Sequence, residues 1–171
     1  MKSLNQKTRV LFLSALCLAL AGGGVALAQR QFATKGKPAI KVTLAGDTDR
    51  KGERVSLDQA GMVKPGEIIN WTIASANEGN GAAREYKAVG QIPVGTSFVP
   101  GSAFASSASV SFSINGGKTF SVQPTIEEKQ ADGSSKRVPA PASSYTQVRY
   151  EWSTPLEAGQ TISASYQVRV K

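Results

Sequence analysis

From Thr146 to the end of the chain, apolar and polar residues alternate. Thr146, Val148, Tyr150 and Trp152 fall on one face, and Gln147, Arg149 and Glu151 on the other. After the turn at Pro155-Leu156-Glu157-Ala158-Gly159 the pattern resumes. Ile162, Ala164, Tyr166, Val168 and Val170 stand against Ser163, Ser165, Gln167 and Arg169. A period of two with one dry and one wet face is the pattern of antiparallel sheet. The same period runs earlier, where Ile69, Trp71, Ile73 and Ser75 share one face and Ile68, Asn70, Thr72 and Ala74 the other. The tryptophan face is assigned to the core. Asn70 then points outward, which argues against a buried Lys–Asn crosslink. Val63-Lys64-Pro65-Gly66 opens this strand as a turn, with Pro presetting φ and Gly supplying φ > 0, and Asn77-Glu78-Gly79-Asn80-Gly81 returns the chain.

Weaker signals fill the rest. Ile40, Val42 and Leu44 alternate with Lys41 and Thr43 in a short strand, followed by a charged loop over Ala45 to Arg54 and an edge strand around Val55 and Leu57. A strand over Tyr86 to Val89 leads to the loop Ile92 to Ser102. The small, Ser-rich stretch Ala103 to Ser109 reads as a loose connection. Val110, Phe112 and Ile114 then run into Asn115-Gly116, a strong hairpin signal, with Lys118 to Val122 as the return strand. Gln123 to Ser144 is a polar excursion, expected to hold a charged hairpin around Asp132-Gly133. No stretch beyond the first 28 residues reads as a helix.

These elements predict an all-β fold, a single immunoglobulin-like antiparallel β-sandwich of about seven to nine strands. Its expected core includes Trp71, Ile73, Phe98, Phe112, Tyr150, Trp152, Tyr166 and Val168. The succession Pro65-Gly66-Glu67, Asn77-x-Gly79-Asn80, Ile92-Pro93-x-Gly95-Thr96-x-Phe98-Val99-Pro100-Gly101-Ser102 and Ile114-Asn115-Gly116-Gly117-Lys118-Thr119-Phe120 resembles the bacterial surface "conserved repeat domain", domain of unknown function number eleven. The resemblance covers roughly Ile40 to Lys171. It implies an immunoglobulin-like sandwich of exported bacterial proteins, often in tandem, with no catalytic residues assigned. Two departures stand out. Gly90 occupies a position, three residues before Pro93, where the family often has Asp, and there is one unit with no internal repeat.

The start of the chain changes the address. Lys2, Lys7 and Arg9 precede an apolar run from Val10 to Ala21, and Ala26-Leu27-Ala28 is a small-x-small cleavage site. This is the layout of a secretory signal peptide over 1–28. Gly22-Gly23-Gly24 interrupts the apolar run before it reaches the length of a membrane span. Residues 29–38 are expected to be a flexible leader and 39–171 the sandwich. Cleavage after Ala28 would remove three basic side chains and Cys17, the one cysteine, leaving 143 residues at a formal +5 without any disulfide. A domain of this size can bury enough apolar surface without one. The expected location is export to the periplasm, cell surface or medium, with no transmembrane segment in the mature chain.

Chemistry is sparse. The chain has no histidine, which removes the commonest general base and the commonest transition-metal ligand, and its one cysteine, Cys17, lies in the leader. Glu127 and Glu128 are adjacent acids, but neighbours on an extended segment point apart, whereas a glycosidase pair needs a controlled separation. Asp47-Thr48-Asp49 offers too few oxygens for calcium and reads as a solvated turn. No catalytic residue, cofactor or metal ligand is assigned. Basic residues are scattered without interleaved aromatics, which argues against nucleic acid. Arg50, Lys51 and Arg54 are the best candidate patch for an anionic ligand. The expectation is an exported non-catalytic module with a structural or adhesive role at the cell envelope, monomeric or weakly associating, whose partner is an envelope protein or glycan. The alternative is a soluble binder of anionic envelope glycans through the basic loops.

Overall fold

A computed structural model describes residues 36–171. The signal peptide expected over 1–28, Cys17 and most of the 29–38 leader lie outside the described residues. The strands are β1 (Ile40–Arg50), β2 (Glu53–Ser56), β3 (Ile68–Asn77), β4 (Lys87–Gln91), β5 (Thr96–Phe98), β6 (Phe104–Ala105), β7 (Ala108–Ser113), β8 (Thr125–Lys129), β9 (Ser135–Pro139), β10 (Gln147–Trp152) and β11 (Thr161–Val170). One helical turn, α1 (Leu57–Ala60), follows β2. The larger sheet has the order β2-β1-β3-β11-β5, with β6 also on β11; the smaller is β4-β10-β7; β8 and β9 form a separate ribbon. All pairings are antiparallel. The described residues form one immunoglobulin-like β-sandwich domain.

The dry faces of β3, β10 and β11 meet between the sheets. Ile69, Ile73, Val148, Tyr150, Trp152, Ala164, Tyr166 and Val168 are all buried, with Phe98 beside them and Trp71 and Phe112 packed against the cluster. Three of the polar aromatics in this layer have a partner for their polar atom, whereas the buried Nε1 of Trp71 has none among the described residues. Tyr150 Oη donates to Ser165 O at 2.7 Å, Tyr166 Oη to Gln91 O at 2.5 Å and Trp152 Nε1 to Ser106 O at 3.0 Å. Gly90 fits here for a steric reason. A Cβ at this position would overlap the Tyr166 ring, so no larger side chain has room.

Three glycine turns share one geometry. In Lys64–Glu67, Pro93–Thr96 and Val99–Ser102 the third residue is a glycine at positive φ, and the fourth N–H donates to the first carbonyl. Thr96 and Ser102 add hydroxyl bonds to Pro93 O and Val99 O. Asn77 is the polar hub of the fold. Its side chain is buried, Oδ1 accepts from Ala39 N and Gly79 N, and Nδ2 donates to Gly81 O and Leu156 O. Asn80 Oδ1 accepts from Lys37 N at 2.8 Å, and a Cβ on Gly79 would strike the backbone of Lys37 and Ala39. The Asn-x-Gly-Asn motif thus clamps the entering chain, and Lys37 and Pro38, expected in the leader, are held by it.

Four expectations need correction. The Ala45–Arg54 loop is the second half of β1 and a hairpin into β2, so Asp47-Thr48-Asp49 lies in a strand; the turn is confined to Lys51-Gly52, both at positive φ. Leu57 belongs to α1, where it meets Trp71 across Gly46. The return strand over Lys118–Val122 is reduced to one pairing, Phe112 with Ser121. There the Ser113 hydroxyl accepts from the amides of Asn115 and Gly117, winding the loop instead of letting it pair. Finally, Ala103–Ser109 is no loose connection: it carries β6 and the start of β7. The hairpin at Asp132-Gly133 forms where expected, as the β8–β9 ribbon.

Candidate functional site

The β1–β2 hairpin takes the predicted basic patch apart. Alternation along a strand sends successive side chains to opposite faces. Arg50 has the parity of buried Thr48 and turns under the sheet, where it donates to Ala60 O, to Met62 O at 2.8 Å, and lies 3.5 Å from Glu67 Oε2. It fastens α1 and the following loop. Lys51 sits exposed at the hairpin tip. Arg54, paired with Asp49, stands on the outer face of the larger sheet with its side chain 77% exposed, and its Nε is 3.8 Å from Asp47 Oδ1. Asp47, Asp49 and Glu53 flank these cations in the same hairpin. Of the three predicted residues, Lys51 and Arg54 have side chains open to solvent, and they do not act on one surface with Arg50.

Two surfaces compete as sites. The first is the flank where β1 and β4 lie at the sandwich margin. Val42 and Leu44 share the inner face with Ser75 and Ile73, their neighbours on β3, yet are 55% and 58% exposed because the smaller sheet ends at β4. With Trp71, Val89 and Pro93 they line a groove of about 270 Å³. Among the described residues, both strands bordering it have a free edge. β2 covers β1 only from Asp47 to Arg50, and β4 pairs only with β10. The alternation of antiparallel ladders turns the backbone N–H and C=O of Val42, Leu44, Lys87 and Val89 toward the open side.

The second is a polar depression of about 170 Å³ on the outer face of the larger sheet, lined by Arg54, Asn70, Thr72, Ser102, Ser165 and Gln167. Asp47, Asn70 and Gln167 are directly opposite one another across β1, β3 and β11. Asn70 Nδ2 donates to Asp47 Oδ1 at 2.9 Å, and Gln167 Nε2 donates to Asn70 Oδ1 at 2.7 Å. Asn70 therefore does point outward, as its parity predicted. Phe104 pairs with Ser165 on the same face and is 69% exposed. It was missed in the sequence, where a lone phenylalanine among small residues was its one signal.

Glu127 and Glu128 lie on the exposed β8–β9 ribbon, opposite Arg137 and Lys136. No group of three or more potential metal ligands occurs among the described residues, and no helix among them is long and apolar enough to cross a membrane. Two tyrosines carry the large shifts in acidity. Burial pushes Tyr166 up to about 12; burial, and secondarily Tyr166, raises Tyr150 further. Both act as neutral hydrogen-bond donors in the core, and neither is poised for proton transfer near pH 7. No family model, curated protein or solved structure matches the chain.

Proposed function

We propose that this chain is an exported, non-catalytic interaction module of the bacterial cell envelope, of the kind that the conserved repeat domain exemplifies. In this reading its flank receives an extended strand from a protein partner. The carrying observation is the coincidence of exposed Val42 and Leu44 with two free strand edges around one groove. An extended peptide is the ligand suited to both, since it pairs with edge N–H and C=O groups while laying alternate side chains on the apolar floor. The export signal and the scarcity of nucleophile–base pairs in the sequence support the rest of the reading.

The test places a photo-crosslinking residue at Val89 and presents the protein to envelope fractions in low and high salt. The expected product is a polypeptide adduct that persists in high salt and falls about tenfold or more in the Val42→Lys, Leu44→Lys double variant, because each lysine removes apolar burial from the floor. An adduct unchanged in that variant, or lost with salt as screened surface charges are, overturns the reading of the flank. Any turnover abolished by a single-residue change overturns the non-catalytic assignment.

A further inference from the structure

The outer face of the larger sheet is the side of β1 opposite the flank groove, and its composition is unlike a solvent face studded with long charges. Its middle rows run Ala45–Thr72–Ser165 and Thr43–Ala74–Ser163, all short side chains. The row Asp47–Asn70–Gln167 walls one end of this floor, its amides oriented by the two bonds between them. Ser102 Oγ braces the same end by accepting from Gln167 N at 3.0 Å. Across β11 the floor is bounded by Phe104, whose parity sets it on this face while Ala105 packs inward against the core.

We propose that this platform binds a short acidic oligosaccharide, one carrying a carboxylate on a sugar ring. Three observations on one surface select that chemistry. The exposed Phe104 ring offers an apolar face to the C–H side of a pyranose. Asn70, Gln167, Thr72 and Ser165 offer donors and acceptors to ring hydroxyls, and the mutual hydrogen bonds of the two amides hold them in place beforehand. Arg54 supplies the charge. Its terminal guanidinium nitrogens make no hydrogen bond among the described residues, and Asp47 holds it loosely through Nε alone. Asp47 Oδ1 also accepts from Asn70, and Asp49 Oδ1 from Gly52 N, so both carboxylates on this face are already engaged. Arg169, with the parity of Gln167, adds a second cation on the same side, where it donates to Gly66 O. A guanidinium with a free fork matches a carboxylate in two-pronged fashion. From β2, which carries Arg54, to β6, which carries Phe104, the platform spans four strand spacings, about 19 Å, which suits a short oligosaccharide better than a single ring.

The test is retention of the protein on immobilised oligogalacturonates, oligomannuronates and oligoglucuronates, beside their neutral homologues and poly(glycerol phosphate). The expected result is retention on at least one oligouronate and not on its neutral homologue. Arg54→Gln and Phe104→Ala, both at exposed positions, each weaken it about tenfold or more, the scale of one charge-assisted or stacking contact. Phe104→Tyr keeps binding, which separates the ring's role from a general effect of substitution. Retention on no oligouronate, retention on poly(glycerol phosphate) alone, or retention indifferent to Arg54→Gln and Phe104→Ala overturns the proposal. The Val42→Lys, Leu44→Lys variant keeps full saccharide retention, so this site and the flank stand or fall separately.

Discussion

Strand β1 passes through two contrasting regions within a few residues. At its start, Ala39 and Ile40 enter the Asn77 clamp, where a buried amide uses its oxygen and its nitrogen twice each. Further along, Val42 and Leu44 lie half-exposed beside unpaired edges. Buried polar groups without partners are costly, so the first region is complete as it stands. The second leaves apolar surface and backbone groups to solvent, a condition that sheet edges usually avoid. Motif density and functional availability are therefore opposed here. The residues of the densest motifs, Asn77, Gly79, Asn80 and the Pro93–Ser102 turns, are spent on holding the fold.

The largest expected effect comes from breaking the clamp. Asn77→Ala leaves the amides of Ala39 and Gly79 and the carbonyls of Gly81 and Leu156 without their partner. We predict a loss of about 3–5 kcal/mol in urea unfolding, a large part of the stability of a single domain. An unfolding midpoint within experimental scatter of the parent would refute the clamp.

Alkaline titration probes the core layer beneath the flank groove. Tyr166 lines that groove and has its folded pKa raised to about 12, and Tyr150 is raised further. A raised tyrosine favours the neutral form in the folded state. The associated stability is fully present below the ordinary tyrosine value near 10 and is lost as pH climbs from there through 12. Stability against urea is expected to fall steeply between pH 10 and 12, and less steeply in Tyr166→Phe, although that variant starts lower for want of the bond to Gln91 O. Equal slopes in parent and variant would sink the assignment.

The smallest effect sharpens the contrast from the other side. Leu44→Ser, on the same strand as the clamp contacts, is expected to change stability by no more than about 0.5 kcal/mol, the range of substitutions at exposed positions. A loss of several kcal/mol would mean that the flank is part of the folded core.

The strands with clean alternation, β3, β10 and β11, were legible residue by residue, because a period of two and the demand to bury one face determine each other. The turn at Pro65-Gly66 was legible because positive φ restricts composition, while Ile92–Ser102 was legible as a loop and not as the two turns it holds. Charged Asp47-Thr48-Asp49 hid the continuation of β1, since its polar residues sit on an outer face that polar contacts with Asn70 and Arg54 make suitable. Phe104 was hidden because two residues carry no readable period.

What the sequence determined by itself is therefore local: which residues alternate, where the chain must turn, and the absence of histidine throughout. Tertiary structure decided what local pattern cannot hold. It sent Arg50 beneath the sheet and Arg54 onto its outer face, through hairpin register alone. It left Val42 and Leu44 exposed although their alternation resembles that of the buried strands, because exposure depends on how many strands the opposing sheet contributes. It also aligned Asp47, Asn70 and Gln167 from three separated segments into one row. Pairing between distant strands sets the flank and the Asp47–Asn70–Gln167 row, and no short window of sequence contains all the partners.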